Sequence, residues 1–370
     1  MKLSSLILLL LLLFVGCSHR EVVPKFLSEK LPNTYLLKSH FRELPNFSEE
    51  SYTTVLAEFL NNCQTEKSQK IYGELCKKAE SISDAKAFLL SSFEPYMIQT
   101  KEGKKEGLLT GYYEADLHAS LEKSERYRYP IYKTPRDLIT IQLASIYPEL
   151  KHYRLRGRLE GNKIIPYDTR AQSKKKGVNA DVICYCDSKI DRFFLEIQGS
   201  GKVQLDDNST IFIGYDNQNG HRYRAIGRYL VKIGAMKLQD VSLQSIKKWL
   251  QEHPSRLDEI LNYNRSLVYF KQREQGATGA LGVELHAKRS VAVDRRYIPL
   301  GSMLYMSADF NGSQLSSVVF AQDTGGAIKG PVRADLFLGS GDEALEVAGK
   351  LKAPLKLWIL LPKVTSERDS

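Results

Sequence analysis

Between Val318 and Gly341 the chain reads VVFAQDTGGAIKGPVRADLFLGSG, and this stretch restricts the fold more than any other. Val318, Val319 and Phe320 form an apolar run of the kind that becomes a buried strand. Asp323 follows, and Asp335 lies beyond Gly325, Gly326 and Gly330. Glycines there permit tight turns and a close backbone approach to a ligand. Leu336 and Phe337 set Asp335 at the edge of an apolar segment. Desolvation at such an edge raises a carboxyl pKa and makes a general acid at neutral pH. The competing reading is that both aspartates only cap turns, and spacing alone allows either.

The start of the chain carries an address rather than a fold. Lys2 precedes the apolar run Leu6–Val15, followed by Gly16-Cys17. Residues 1–16 read as a secretory signal whose apolar part is too short to span a membrane. Phe14-Val15-Gly16-Cys17 resembles a bacterial lipobox, with Phe14 where leucine is usual. That resemblance implies cleavage before Cys17, lipidation of its sulfur and anchoring to a membrane. Ser18 resembles the sorting residue of lipoproteins held on the periplasmic face of the outer membrane. The plainer reading is an ordinary cleaved signal that leaves Cys17 free. Residues 17–35 are polar, carry Pro24 and Pro32, and read as a tether.

The 370 residues are enough for about two domains. A formal net charge of +10 predicts an anionic partner or surface. Nucleic acid is excluded as that partner: there is no basic stripe interleaved with aromatics, and export argues against it. An anionic wall polymer or a lipid surface fits the address. Cys63 and Cys76 are placed to close a short loop in an oxidising compartment. Cys184 and Cys186 stand two apart on a predicted strand, so they share a face. With no second pair or histidine cluster beside them they read as surface or core cysteines, and no metal or other cofactor is expected.

From Tyr52 to about Met97 the pattern is helical, with Asp84 as a cap and Pro95 as a terminator. Gly107 onward reads as short strands, beginning with Leu108–Glu114. The tyrosine pair Tyr112-Tyr113 fits a core, and equally offers flat faces for sugar rings. Phe193–Ile197 reads as a strand ending in Gln198, Gly199 and Ser200, where amide, hydroxyl and backbone donors meet. The P-loop lysine and the nucleophile-elbow spacing are both missing from that turn. Helices are predicted at 222–233, 242–250 and 342–351. Further strands are predicted at 267–270, 291–293, 303–306 and 355–361.

Five motifs in this order resemble the membrane-bound lytic transglycosylase A family: TGYYE (110–114), FFLEIQGSG (193–201), NYNRSLVYF (262–270), AVDRRYIPLGS (292–302) and QDTGGAIKGPVRADLFLGSG (322–341). The resemblance covers about residues 35–363. Ala115 departs from the proline that commonly follows the tyrosine motif. The resemblance implies a mainly β protein with helices. A double-psi β-barrel would comprise residues 36–116 and 263–365. A smaller β-barrel, residues 117–262, would be inserted in it, with a glycan groove between the two. The family's three aspartates fall on Asp294, Asp323 and Asp335. Asp335 maps to the catalytic acid, and Asp323 and Asp294 map to supporting positions.

The implied activity is cleavage of the β-1,4 bond between N-acetylmuramic acid and N-acetylglucosamine, leaving a 1,6-anhydro end. Peptidoglycan strands are the implied partner, with cell-wall synthesis or division proteins as further partners. Tyr112, Tyr113, Gln198, Gly199 and Ser200 are candidate substrate contacts. Lys329 is another, set against the commoner exposed loop lysine. Glu196, on a strand with Gln198, would line the groove or form a salt bridge. Two other functions compete. Asp323-Thr324-Gly325 is the tripeptide of aspartic proteases, which need a second such aspartate. A non-catalytic glycan-binding lipoprotein would keep the aromatics and have no need of Asp335.

Overall fold

A computed structural model describes residues 31–363, other than 32, 154 and 275. The expected signal, Cys17 and the tether up to residue 30 lie outside the described residues. The chain opens with strand β1 (Tyr35–Lys38) and helices α1 (Tyr52–Cys63), α2 (Glu66–Tyr72), α3 (Glu74–Ala79) and α4 (Ala85–Ser92). Asp84 caps α4 as expected, its carboxylate accepting the Ala87 N–H at 2.9 Å. The helical reading up to Met97 needs correction. The backbone turns into strand β2 (Phe93–Gln99) directly after Ser92, and Pro95 lies within it. Burial of Phe93, Tyr96 and Ile98 against the sheet outweighs the local pattern.

A disulfide joins Cys63 at the end of α1 to Cys76 in α3. Closing a loop of that length constrains the unfolded chain by about 3 kcal/mol. The double variant Cys63→Ser/Cys76→Ser is therefore expected to lose about that much stability. The midpoint of urea unfolding, with and without reductant on the parent, checks it.

Strand β3 (Gly107–Ser120) is the long one. After it come β4 (Tyr129–Tyr132), β5 (Ile139–Thr140), β6 (Arg156–Glu160), β7 (Lys163–Pro166), α5 (Arg170–Lys176) and β8 (Val182–Cys186). Helix α6 (Lys189–Gln198), β9 (Ser200–Leu205), β10 (Thr210–Gln218), α7 (Ile226–Lys232), α8 (Leu243–Glu252), α9 (Leu257–Tyr263) and β11 (Val268–Arg273) complete the middle of the chain. The last part holds β12 (Ser290–Val293), β13 (Met303–Phe310), β14 (Ser313–Asp323), β15 (Arg333–Ser340), α10 (Gly341–Lys350) and β16 (Lys352–Pro362).

Six strands close on themselves in the order β3–β16–β13–β14–β12–β15 and back to β3. Leu109, Val291, Val293, Leu304, Val319, Ala321 and Leu336 fill the interior. Outside, α1–α4 pack on Phe320, Tyr305 and Trp358. Closure leaves the ring without free edges, which an open sheet must otherwise protect.

The second half of β3 continues into another sheet, ordered β4–β8–β3–β9–β10–β11. Its edge strands β4 and β11 approach each other, and no ladder joins them among the described residues. The expected return to the first barrel at residue 263 comes too early. β11 pairs with β10 and belongs to the second sheet. Cys184 and Cys186 are buried in that sheet's core.

The segment read as a strand at Phe193–Gln198 is instead helix α6. Ser188 caps it, its hydroxyl accepting the Asp191 N–H at 3.0 Å. Ile190, Phe193 and Phe194 recur at helical spacing, which a window starting at Phe193 misses. Gly199 ends the helix with φ of 86°, a left-handed cap that suits glycine. On a helix Glu196 no longer shares a face with Gln198. Its carboxylate is paired with Arg170, at 2.9 and 2.6 Å, with side chains 4% and 5% exposed. The salt-bridge reading of Glu196 therefore stands, and the groove-lining reading falls.

Candidate active site

Four neighbouring strands set the candidate residues. On β15, Ala334 and Leu336 point into the ring's core, so Asp335 between them points out. Asp335 stands opposite Thr110 on the parallel β3 and opposite Ala292 on the antiparallel β12. Ala292 is in turn opposite Asp323 on β14. The two aspartates are thus one strand apart, with Ala292 as floor between them. Tyr112, Ala277, Leu285, Ile328 and Phe337 wall the same outer face.

The Thr110 hydroxyl donates to Asp335 Oδ1. The same hydroxyl accepts from Arg333 Nη2 at 2.7 Å. Burial pushes the Asp335 carboxyl above the ordinary range, and Thr110 and Arg333 pull only partly against it. Asp323 is also raised, chiefly by burial and with the Asp335 charge adding to it. Both Asp323 oxygens are occupied: Oδ1 accepts the Ala280 N–H at 3.0 Å and Oδ2 the Tyr112 hydroxyl at 3.1 Å.

Asp294 behaves differently. It is 4% exposed, and burial alone would raise it. Arg296 and the Gly330 amide outweigh burial and hold it below the ordinary carboxylate range. Its Oδ2 accepts the Gly330 N–H at 2.9 Å, at a residue whose φ of 108° requires glycine. Asp294 therefore pins the loop that carries the chain from Asp323 to Asp335.

The remaining candidates separate. Tyr112 joins the aspartates, whereas Tyr113 points to the opposite face and is buried in the second sheet's core. The Tyr113 N–H donates to Gln198 Oε1 at 3.2 Å. Gln198, Gly199 and Ser200 form the corner between α6 and β9, with Ser200 buried. Lys329 is exposed on the loop between Asp323 and Asp335. Cys17 lies outside the described residues.

Thr110 and Arg333 were missed as partners of Asp335. A signal existed for Arg333, which is two residues before Asp335 and so on the same face of a strand. Glu114, two beyond Tyr112, is buried on the same strand face and raised to about 7 by desolvation and Asp116. Removing the hydroxyl at Thr110 tests the pairing. Thr110→Val is expected to lower kcat by about tenfold, the value of a hydrogen bond to a charged group. The alkaline limb of its pH–rate profile should move to higher pH, since the ionised form loses a donor. Among the described residues no group of three histidine, cysteine or acidic side chains is arranged to hold a metal ion.

Comparison with known proteins gives the chain's relatives. Residues 108–271 match the MltA specific insert domain, and residues 289–361 match the 3D domain. The membrane-bound lytic murein transglycosylase A of Escherichia coli K12 is 33% identical over 261 residues, 68% of this chain. The match spans 64% of that relative's length. The crystal structure of MltA from Neisseria gonorrhoeae superposes with a TM-score of 0.78 at 32% identity, covering 90% of this chain and 94% of that one. E. coli MltA with bound chitohexaose superposes with a TM-score of 0.66 at 25% identity, covering 85% and 91%.

Proposed function

Since this chain belongs to the family of membrane-bound lytic murein transglycosylase A, we propose that it is a lytic transglycosylase of peptidoglycan. The bond cleaved is the β-1,4 link from N-acetylmuramic acid to N-acetylglucosamine, and the product ends in 1,6-anhydromuramic acid. One observation carries this reading: burial raises the Asp335 carboxyl, of which only Oδ1 is hydrogen-bonded among the described residues, while its neighbour Asp323 has both oxygens engaged. A hydrolase needs a second free carboxylate as nucleophile or to activate water. A tethered hydroxyl on the sugar itself removes that need, because proximity replaces the second group.

In the first step Asp335 gives its proton to the glycosidic oxygen. The C1–O bond breaks, and its electron pair leaves with the N-acetylglucosamine. The C6 hydroxyl of the muramic residue then attacks C1. Asp335, now a carboxylate, accepts the hydroxyl proton and is restored. Thr110 stabilises the charged form between the two steps. Tyr112 and the Ala280 amide both donate to Asp323 and favour its charged form, against the burial that raises it.

The closed six-stranded ring supports the double-psi description of the catalytic part, with the second sheet as the inserted part. A chitohexaose-bound relative supports a β-1,4 amino-sugar chain as the ligand in the groove between them. Lipidation at Cys17 would hold the enzyme at the periplasmic face of the outer membrane. The aspartic-protease reading lacks support, since Asp335, the carboxylate whose charge acts on Asp323, is bound to Thr110 and belongs to no second Asp-Thr-Gly.

Digestion of purified peptidoglycan in ¹⁸O-water, with mass spectrometry of the fragments, tests the proposal. Unlabelled anhydro ends are expected. Reducing ends carrying ¹⁸O would overturn it.

A further inference from the structure

The motif NYNRSLVYF has residues that the chemistry at Asp335 does not use. Asn264 is 3% exposed, and its Oδ1 accepts the N–H groups of Arg224 and Ser266, each at 3.2 Å. Asn219 is 1% exposed and acts in the same way from the other side. Its Nδ2 donates to the carbonyls of Asp168 at 2.8 Å and Arg265 at 2.9 Å, and its Oδ1 accepts the Leu267 N–H at 3.1 Å. Buried amides are costly unless paired, so these two fix the segments 219–224 and 264–267 against each other.

What this framework presents to solvent is positive charge. Arg222, Arg224, Arg228 and Arg265 are all exposed. Among the described residues none of the four has a carboxylate partner, and Arg224 lies over the Tyr263 ring at 5.8 Å. Tyr223, in the middle of the set, brings the group to the active site. A Cβ added at Gly326 would meet the Tyr223 Cβ at 3.9 Å. Gly326 belongs to the loop between Asp323 and Asp335. Cations gathered on two adjoining segments without carboxylate partners repel one another, so a set of them near the Asp323–Asp335 loop calls for an anion as its counterpart.

We propose that Arg222, Arg224, Arg228 and Arg265 form a basic lip that binds the carboxylates of the peptide stems carried by the glycan. The inference rests on the transglycosylase reading and extends it to the part of the substrate beyond the sugars. Guanidinium groups match carboxylates with paired hydrogen bonds, which gives the lip geometric selectivity.

The test compares kcat/KM on peptide-bearing glycan strands and on strands stripped of their stems by an amidase, using the full chain. The parent is expected to prefer peptide-bearing strands, with the preference shrinking as salt is raised. Arg222→Gln/Arg228→Gln should reduce the ratio of the two kcat/KM values by about tenfold, summing exposed charge pairs. Arg265→Gln should reduce it as well, since the Asn219 contact uses only the Arg265 carbonyl. Circular dichroism and melting temperature confirm that the variants fold. An unchanged ratio, or an equal loss on both substrates, would overturn the inference. Inactivity of the parent on both kinds of strand would overturn the transglycosylase reading itself, and the lip with it.

Discussion

Asp335→Asn is expected to cut the release of anhydro-ended fragments by about 10³-fold, the range of a lost general acid. Asparagine keeps the shape and still accepts from Thr110, but has no proton to give. The loss should therefore fall on kcat, with strand binding retained in a pull-down on insoluble peptidoglycan. Stability should move the other way. Burial raises the folded-state pKa of Asp335 above that of the unfolded chain. Between those two values the folded state holds a proton that the unfolded state has lost. The contribution is complete below the unfolded pKa and is lost as pH rises through the folded one. Asp335→Asn removes this penalty, so the variant is expected to melt above the parent at neutral pH and level with it in acid. Full activity in Asp335→Asn would refute the assigned role.

The second large effect comes from a buried ion pair. Arg170 pairs with Glu196 and also donates to the carbonyls of Asn264 at 3.1 Å and Ser266 at 2.6 Å. Glu196 in turn accepts the Val268 N–H at 3.2 Å. One ion pair thus ties α5, α6 and the start of β11 together. Arg170→Met leaves a carboxylate buried without its partner, and is expected to cost about 3–5 kcal/mol. The urea midpoint of the variant checks this. Replacing both partners, as in Arg170→Met/Glu196→Leu, should recover much of the loss, because two apolar groups need no solvation.

Much of the barrel was legible in the sequence, because its strands are apolar runs bounded by turns. Val318–Phe320 and Val291–Val293 needed no more than that. The aspartates stood out through their glycines and apolar flanks. Two kinds of information were absent. Helix α6 looks like a strand when Phe193-Phe194-Leu195 is taken alone; only Ser188 and Ile190, further back, reveal its period. The Thr110–Asp335 contact joins residues 225 apart through a parallel pairing, for which no local pattern exists. Tyr112 and Tyr113 show the same limit. Alternation predicts that they face opposite ways, but only the assembled sheets show which one meets the carboxylates.

Strand β3 belongs to both sheets: its first residues pair with β15 and β16, its later ones with β8 and β9. No cut in the backbone leaves each part with all its ladder partners. Heating should consequently melt the molecule in one cooperative step, and neither part expressed by itself should remain soluble. A strain applied at the far end of that ribbon would reach Thr110 along a continuous line of bonds, which makes the barrel's chemistry answerable to whatever the other sheet holds.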